Sequence, residues 1–149
     1  MEPEESKVKL DEIDAKIIEI LMKDARASLE EISEQLKVSK STVHYRIRKL
    51  KENGIIEGFT TKINYKKLGY EIYALSCVKA KYHQQSLESI ALKIKELEGV
   101  ENVYVILGEM DFFVMIRAKD KDQLKNIVEK LIALPEIDHS STYLIISSV

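Results

Sequence analysis

The most constraining feature of this chain is a basic segment that also has the apolar spacing of a helix. Residues 37–51 hold six Lys and Arg side chains and no acid, whereas the whole protein carries 23 basic and 25 acidic residues. Val43, Ile47 and Leu50 recur here at helical spacing, which predicts a helix with one face in a core. A helix that is buried on one side and cationic on the other favours a polyanionic partner, and DNA is the first candidate.

Length and composition limit the classes of protein to which the chain can belong. With 149 residues, 45% of them hydrophobic, it can form one medium domain or two small ones. The single cysteine, Cys77, cannot close an internal disulfide or form a paired-cysteine site, which indicates a reducing compartment. The acidic N-terminus and the lack of any run of about 18 apolar residues predict no signal peptide and no membrane span. We therefore expect a cytoplasmic protein.

The N-terminal third has the signals of three short helices. The capping signals are Asp11 followed by Asp14, Ser28 followed by Glu31, and Ser39. The apolar stripes after them are Ile13, Ile17, Ile20 and Leu21, then Leu29, Ile32 and Leu36, then Val43, Ile47 and Leu50. Asn53-Gly54 predicts the end of the third helix.

The second and third helices are separated by very few residues, which is typical of a helix-turn-helix. This turn contains no glycine, so either Lys37 or Val38 must supply the bend.

The rest of the chain has a different spacing of apolar residues. From Ile55 to Asn64, apolar and polar residues alternate loosely, which predicts a short strand or hairpin that bridges two domains. The elements predicted after it are a strand over 70–82, a helix through Leu87–Leu97 that ends at Gly99, strands over 100–107 and 111–118, a helix capped by Asp120, and a strand over 137–149.

The predicted fold class is therefore α+β, with an N-terminal helix-turn-helix domain and a C-terminal ferredoxin-like βαββαβ domain. We expect the DNA-binding domain over 1–54, the linker over 55–69, and an oligomerisation and sensing domain over 70–149. Two helices cover one face of a four-stranded sheet and leave the other bare, which favours self-association.

The third helix supplies the candidate DNA contacts. If Val43, Ile47 and Leu50 face the core, the residues expected at base edges are Ser41, His44, Tyr45 and Arg48. The residues expected at phosphates are Ser39, Lys40, Thr42, Arg46, Lys49 and Lys51. The alternative is a solvated basic helix face, and Tyr45 alone could equally be a packing residue.

The chain contains several short motifs, each of which alone is weak evidence for a protein family, but their order and spacing together are specific. They are Leu10-Asp11-Glu12-Ile13-Asp14, Ser39-Lys40-Ser41-Thr42-Val43, Arg46-Ile47-Arg48-Lys49-Leu50, Asn53-Gly54-Ile55-Ile56, Leu68-Gly69-Tyr70 and Gly108-Glu109-Met110-Asp111. Together they resemble the Lrp/AsnC (leucine-responsive, or feast/famine) regulators along nearly the whole chain. The resemblance implies a sequence-specific regulator that forms a dimer and assembles further, commonly into an octamer, under the control of an amino-acid effector.

The resemblance also directs attention to the turn Gly108-Glu109-Met110-Asp111. Backbone N–H groups there can hold a carboxylate, and Asp111 or Glu109 can meet an ammonium group, which are the two ends of an amino acid. Ser140 and Thr142 match polar positions of the family pattern and could line the same pocket. Without the resemblance, a plain β-turn with acidic residues accounts for this segment.

Other functions have less support in the sequence. His83 and His139 are isolated, so surface histidines are expected. Cys77 has no His or basic residue directly next to it in the sequence, which favours an inert thiol. No metal or cofactor motif occurs. The alternatives to a regulator are a small enzyme, or a ligand sensor whose helical domain is a protein adaptor. We expect no enzyme activity, and DNA, a small amino acid and further copies of the chain as partners.

Overall fold

A computed structural model describes residues 9–81 and 85–147 of the chain. It divides into two compact units between Lys62 and Ile63, and each is described by itself. His83 and the ends of the strands predicted over 70–82 and 137–149 lie outside the described residues.

The N-terminal unit consists of three helices that begin at the predicted caps. Their bounds are α1 Glu12–Lys23, α2 Leu29–Leu36 and α3 Lys40–Glu52. Asp11 and Ser28 each form a capping box, in which the cap side chain accepts a backbone N–H and the acid three residues later accepts one in return. Ser39 caps α3 through the backbone N–H of Thr42. The sequence signals for all three helix starts are confirmed.

The bend between α2 and α3 comes from Lys37. This residue has a φ of 54° and a ψ of 41°, the left-handed conformation that usually requires glycine. The conformation costs a residue with a side chain about 1–2 kcal/mol. The adjacent Val38, which is β-branched, would tolerate it less well.

The helices pack around four buried side chains, and every helix contributes at least one. These are Ile17 from α1, Ile32 from α2, and Val43 and Leu50 from α3, each no more than 3% exposed. Burial of Val43 and Leu50 fixes the rotation of α3 about its own axis, as the apolar spacing predicted. The opposite side of α3 consequently faces solvent.

The strand or hairpin predicted over 55–64 is wrong for the single chain. No described residue in that range belongs to a strand, and a 3-10 turn follows at Tyr65–Leu68, ended by Gly69 in the left-handed conformation. A strand requires a paired neighbour for its backbone groups, and the described chain supplies none for this segment.

The C-terminal unit is a four-stranded antiparallel sheet with two helices. Its elements are β1 Ile72–Ala80, α4 Leu87–Lys95, β2 Val100–Val105, β3 Phe112–Ala118, α5 Lys121–Ile132 and β4 Ile137–Leu144. The strand order is β2-β3-β1-β4, with every neighbouring pair antiparallel. The ferredoxin-like arrangement and the α+β class are confirmed.

The two faces of the sheet differ in burial. Alternate residues of β1 and β3, such as Val78 and Val114, are fully buried in a core with Ile94 of α4 and Leu131 of α5. The residues between them form the second face, where Phe113 stays 37% exposed although it is large and apolar. Neither α4 nor α5 packs on this second face, and at one end of it the ring centre of Tyr65 from the 3-10 turn lies 3.9 Å from the guanidinium carbon of Arg117.

Gly99 is required where the chain begins β2. Its φ is +87°, and a Cβ atom built there would lie 2.4 Å from Ile127 Cδ1 and 3.1 Å from the carbonyl oxygen of Arg117. Gly108 is the contrasting case, because a Cβ at that position meets nothing within 4 Å and its φ is not positive.

The substitution Gly99→Ala is expected to lower the free energy of unfolding by about 2–4 kcal/mol, because it combines left-handed backbone strain with overpacking. Gly108→Ala, the matched control, is expected to change it by less than about 0.5 kcal/mol. Urea titrations followed by circular dichroism measure both. Equal losses for the two variants would contradict the requirement for glycine at the start of β2.

Candidate nucleic-acid interface

One face of α3 presents a stripe of polar side chains to solvent. Ser41, His44, Tyr45 and Arg48 recur at helical spacing on the side away from the buried Val43. Tyr45 is 62% exposed, so it is not a core residue of this unit. The four residues expected at base edges are thus brought together on one accessible surface, which we call the α3 stripe.

The start of α3 carries a small cluster of hydroxyl groups. Ser39 Oγ accepts the backbone N–H of Thr42 at 3.1 Å and lies 2.9 Å from Ser41 Oγ and 2.7 Å from Thr42 Oγ1. These contacts hold the cap in place and leave the helix N-terminus open for an anion.

Lysines lie on the flanks of the α3 stripe. Lys49 and Lys51 are exposed, and the ammonium group of Lys51 sits 5.8 Å from the ring centre of Phe59. Lys40 forms an ion pair of 2.6 Å with Glu30 of α2, and both side chains are more than half exposed. Exposed ion pairs of this kind are weak, so another anion can replace the Glu30 carboxylate beside Lys40.

Arg46 has a role that the sequence reasoning did not assign to it. Its Nη1 atom lies 2.6 Å from Asp11 Oδ2 and 2.9 Å from Asp14 Oδ1, and its side chain is only 23% exposed. The guanidinium therefore joins α3 to the start of α1. The phosphate assignment of Arg46 stays a prediction, and two carboxylates compete with any phosphate for its charge.

These contacts shift the pKa values of the groups involved and favour their charged forms. The hydrogen bond with Asp11 raises the pKa of Arg46. The pKa of Asp11 is lowered from 3.8, first by the backbone N–H of Asp14 and then by Arg46. A lowered carboxyl pKa stabilises the folded state at neutral pH, and that contribution disappears as the pH falls from about 3.8 through the lowered value.

Arg48 also has a carboxylate partner, but of a different kind. Its Nε atom donates to Glu52 Oε1 at 2.6 Å, one helical turn further on, which raises the pKa of Arg48. The two side chains are 71% and 58% exposed. The guanidinium thus stands in solvent with its charge available to a ligand.

In the C-terminal unit, the turn between β2 and β3 holds the candidate effector residues. Gly108 and Glu109 are exposed and Met110 is half-buried. Asp111 is more constrained, because its carboxylate accepts the backbone N–H of Ala80 at 2.9 Å and lies 3.2 Å from Lys79 Nζ. Its side chain is 17% exposed.

The two polar residues of β4 lie apart from that turn. The sheet order places β1 between β3 and β4, which separates Ser140 from the start of β3 by about 10 Å. Thr142 lies further along β4, and its hydroxyl is 2.6 Å from that of the fully buried Ser76. The structure therefore brings Lys79, which sequence reasoning missed, closer to Asp111 than it brings Thr142.

The remaining features are His139, possible metal ligands and possible membrane-spanning helices. His139 is exposed and lies 2.9 Å from the carboxylate of the adjacent Asp138. Residues 9–81 and 85–147 contain no group of three His, Cys, Asp or Glu side chains placed to hold a metal ion. In the same residues, no helix is long and apolar enough to cross a membrane.

Two family models match the chain, one for each unit. Residues 10–57 match the winged helix-turn-helix DNA-binding model, and residues 74–149 match the Lrp/AsnC ligand binding domain. The second match alone covers half of the chain.

Known proteins of similar sequence and structure span nearly the whole chain. The HTH-type transcriptional regulator LrpA of Pyrococcus horikoshii is 39% identical over 123 residues, which are 83% of this chain and 86% of the relative. The structure of AsnC from E. coli has a TM-score of 0.85 at 28% identity and covers 94% of both chains. A Neisseria meningitidis regulator solved with L-Met has a TM-score of 0.89 at 19% identity over 95% and 92% of the chains, a likeness of fold.

Arg46→Ala is expected to lower the thermal unfolding midpoint of the N-terminal unit by several degrees, because it leaves two carboxylates beside α3 without their cation. Arg48→Ala is the matched control, since it removes the same side chain from an exposed pair within α3 and should shift the midpoint very little. Scanning calorimetry of both variants measures the difference. Equal shifts would show that Arg46 does not join α1 to α3.

Proposed function

This chain belongs to the Lrp/AsnC family of helix-turn-helix transcriptional regulators, and we propose that α3 is its DNA-reading helix. In the proposed complex the α3 stripe enters the major groove, and Ser41, His44, Tyr45 and Arg48 meet base edges. Lys40, Lys49 and Lys51 meet phosphates on either side, with the capped start of α3 near a further phosphate. As a transcriptional regulator, the chain is not an enzyme.

The observation that carries this proposal is the pairing of a buried and an exposed face on one basic helix. Val43 is fully buried and Leu50 is 3% exposed, so α3 cannot rotate without breaking the core. Tyr45 and Arg48 must then project outward. A fixed helix with exposed hydrogen-bonding side chains and cationic flanks has the composition that major-groove readout needs.

Each residue type in the α3 stripe suits a chemical group of a base. Arg48 can donate two hydrogen bonds to O6 and N7 of guanine. Ser41 and His44 can donate or accept, and Tyr45 can contact a thymine methyl group or a phosphate. Two α3 helices related by a two-fold axis would read half-sites about 10 base pairs apart, or a multiple of that.

Arg48→Ala is expected to weaken binding to a selected DNA sequence much more than to random DNA, because a good bidentate contact discriminates between bases by about 1–3 kcal/mol. Lys49→Ala should weaken binding to all sequences. It should also make the negative slope of log affinity against log salt shallower, by about 0.9 for each phosphate that the protein no longer neutralises. Fluorescence anisotropy with duplexes selected from a randomised library measures both effects.

Lys130→Ala is the charge-matched control, because Lys130 is exposed on α5 of the other unit. It should leave both affinities and the salt slope unchanged. Equal losses on selected and random DNA for Arg48→Ala would contradict the base-reading assignment. Absence of DNA binding by the unaltered protein would favour a protein-adaptor role for the helix-turn-helix.

The proposal includes self-association through the second face of the sheet. Tyr104 and Phe113 are paired across β2 and β3 on that face and are 51% and 37% exposed. Tyr143 on β4 lies opposite Leu75 on the same face and is 59% exposed. An apolar surface of this kind is stabilised when a second copy covers it. A dimer that assembles further, up to an octamer, would present several α3 helices to one DNA molecule.

The proposal also includes a small amino acid as effector, bound at the turn Gly108-Glu109-Met110-Asp111. The assignment of Ser140 and Thr142 to the same pocket stays a prediction, because both lie on β4, across β1 from that turn. The ligand binding domain named by the family model and the L-Met complex of the Neisseria protein support this class of ligand. Asp111 and Glu109 supply negative charge for an ammonium group, and Lys79 supplies a positive charge for a carboxylate. An effector that binds one assembly better than another would shift the spacing of the α3 helices and hence the DNA affinity.

Native mass spectrometry with a panel of amino acids is expected to show oligomers with an even number of subunits and mass increments for bound amino acid, with methionine tested first. Glu109→Gln should reduce ligand retention, because it removes an exposed negative charge at the proposed site. Glu88→Gln on α4 is the control. A monomeric protein would contradict the assembly proposal, and oligomers without ligand at millimolar amino acid would contradict the effector proposal.

A further inference from the structure

We infer that Glu52 is a positioning residue for base recognition, which sets the orientation of the Arg48 guanidinium before DNA arrives. This inference rests on the proposed function of α3. Its starting point is the single hydrogen bond from Arg48 Nε to Glu52 Oε1, at 2.6 Å. Among the described residues, this is the guanidinium's one hydrogen-bond partner.

The atom that Glu52 engages determines which donors remain. A guanidinium has five N–H groups, one on Nε and four on the two terminal nitrogens. Because Glu52 occupies Nε, the terminal nitrogens keep their free, coplanar edge. That edge has the spacing that guanine O6 and N7 require for two parallel hydrogen bonds. Glu52 therefore leaves free the end of Arg48 that reads a guanine.

The position of Glu52 is unfavourable for helix stability and for DNA affinity alike. It is the single acid in α3, whose other residues include five Lys and Arg. It lies in the last turn, where the negative end of the helix dipole disfavours a carboxylate. Its charge also repels DNA phosphates. An acid that opposes both helix stability and non-specific DNA binding is accounted for by its contact with Arg48.

Orienting the Arg48 side chain before DNA binds reduces the conformational entropy that it loses on binding. A free arginine side chain must give up much rotational freedom when it forms two aligned hydrogen bonds. Glu52 imposes part of that order in the unbound protein, which reduces the loss on binding. The Lys40 and Glu30 pair has no such effect, because an ammonium group contacts phosphate as a point charge without a required plane.

Two variants of the full-length protein separate positioning from charge. Glu52→Gln keeps an oxygen that can accept from Arg48 Nε but removes the charge, and Glu52→Ala removes both. The probes are duplexes selected from a randomised library by the unaltered protein, the same duplexes with single guanines replaced, and random-sequence DNA. The guanine assigned to Arg48 is the one whose replacement weakens the unaltered protein but not Arg48→Ala.

Both Glu52 variants are expected to bind random DNA about two- to threefold more tightly, because one negative charge is removed. Glu52→Ala is expected to lose about two- to fivefold of the preference for the assigned guanine, the range that an exposed ion pair can supply, whereas Glu52→Gln keeps most of it. Circular dichroism confirms that α3 remains folded in each variant.

The outcomes distinguish this inference from the proposed function beneath it. If Glu52→Ala keeps the full guanine preference while Arg48→Ala loses it, Arg48 reads the base and the positioning role of Glu52 is overturned. If both Glu52 variants change affinity for all DNA by the same factor, Glu52 acts through charge alone and the inference fails. If Arg48→Ala changes the preference for no guanine, the assignment of Arg48 to a base is contradicted, and the positioning role of Glu52 is contradicted with it.

Discussion

The attachment of α3 to the rest of its unit is the constraint on which the proposed reading of DNA by α3 depends. Burial of Val43 and Leu50 fixes its rotation, and the Arg46 ion pairs with Asp11 and Asp14 fix it against the start of α1. Apolar contact alone would allow small rotations at modest cost, whereas the Arg46 contacts are directional and partly buried. Together they determine which side chains of a short basic helix can reach a ligand.

Carboxylates near α3 act in two different ways. Asp11 and Asp14 neutralise a cation that is mostly buried, and so contribute to the fold. Glu30 and Glu52 lie beside exposed cations that remain available to a ligand. Lys40 can exchange Glu30 for a phosphate because such pairing is weak, whereas Glu52 contacts only Nε of Arg48 and leaves its terminal nitrogens available. The overall net charge of −2 therefore says little about the surface that we propose meets DNA. What matters is which cations on α3 can exchange partners.

Local signals predicted the helices well, and contacts between distant residues account for what the sequence could not predict. The caps at Asp11, Ser28 and Ser39 and the order of strands and helices along the chain follow from patterns a few residues long. The Arg46 contacts with Asp11 and Asp14 span more than 30 residues, so no spacing rule indicates them. The prediction of a strand over 55–64 was wrong because the sequence shows the alternation of apolar and polar residues but does not show whether a neighbouring strand is available to pair with it. The contact of Lys79 with Asp111 depends on sheet register, which the sequence leaves open.

Lysine footprinting tests the role of α3 most directly, since the chain carries 19 lysines spread over both units. The protein is acylated at low reagent concentration with and without duplex DNA, and the modification of each lysine is measured by mass spectrometry. We expect DNA to protect Lys40, Lys49 and Lys51, while Lys93 on α4 and Lys121 on α5 react unchanged. Protection of those two lysines with Lys49 and Lys51 still reactive would show that DNA binds another surface and that α3 is a solvated helix.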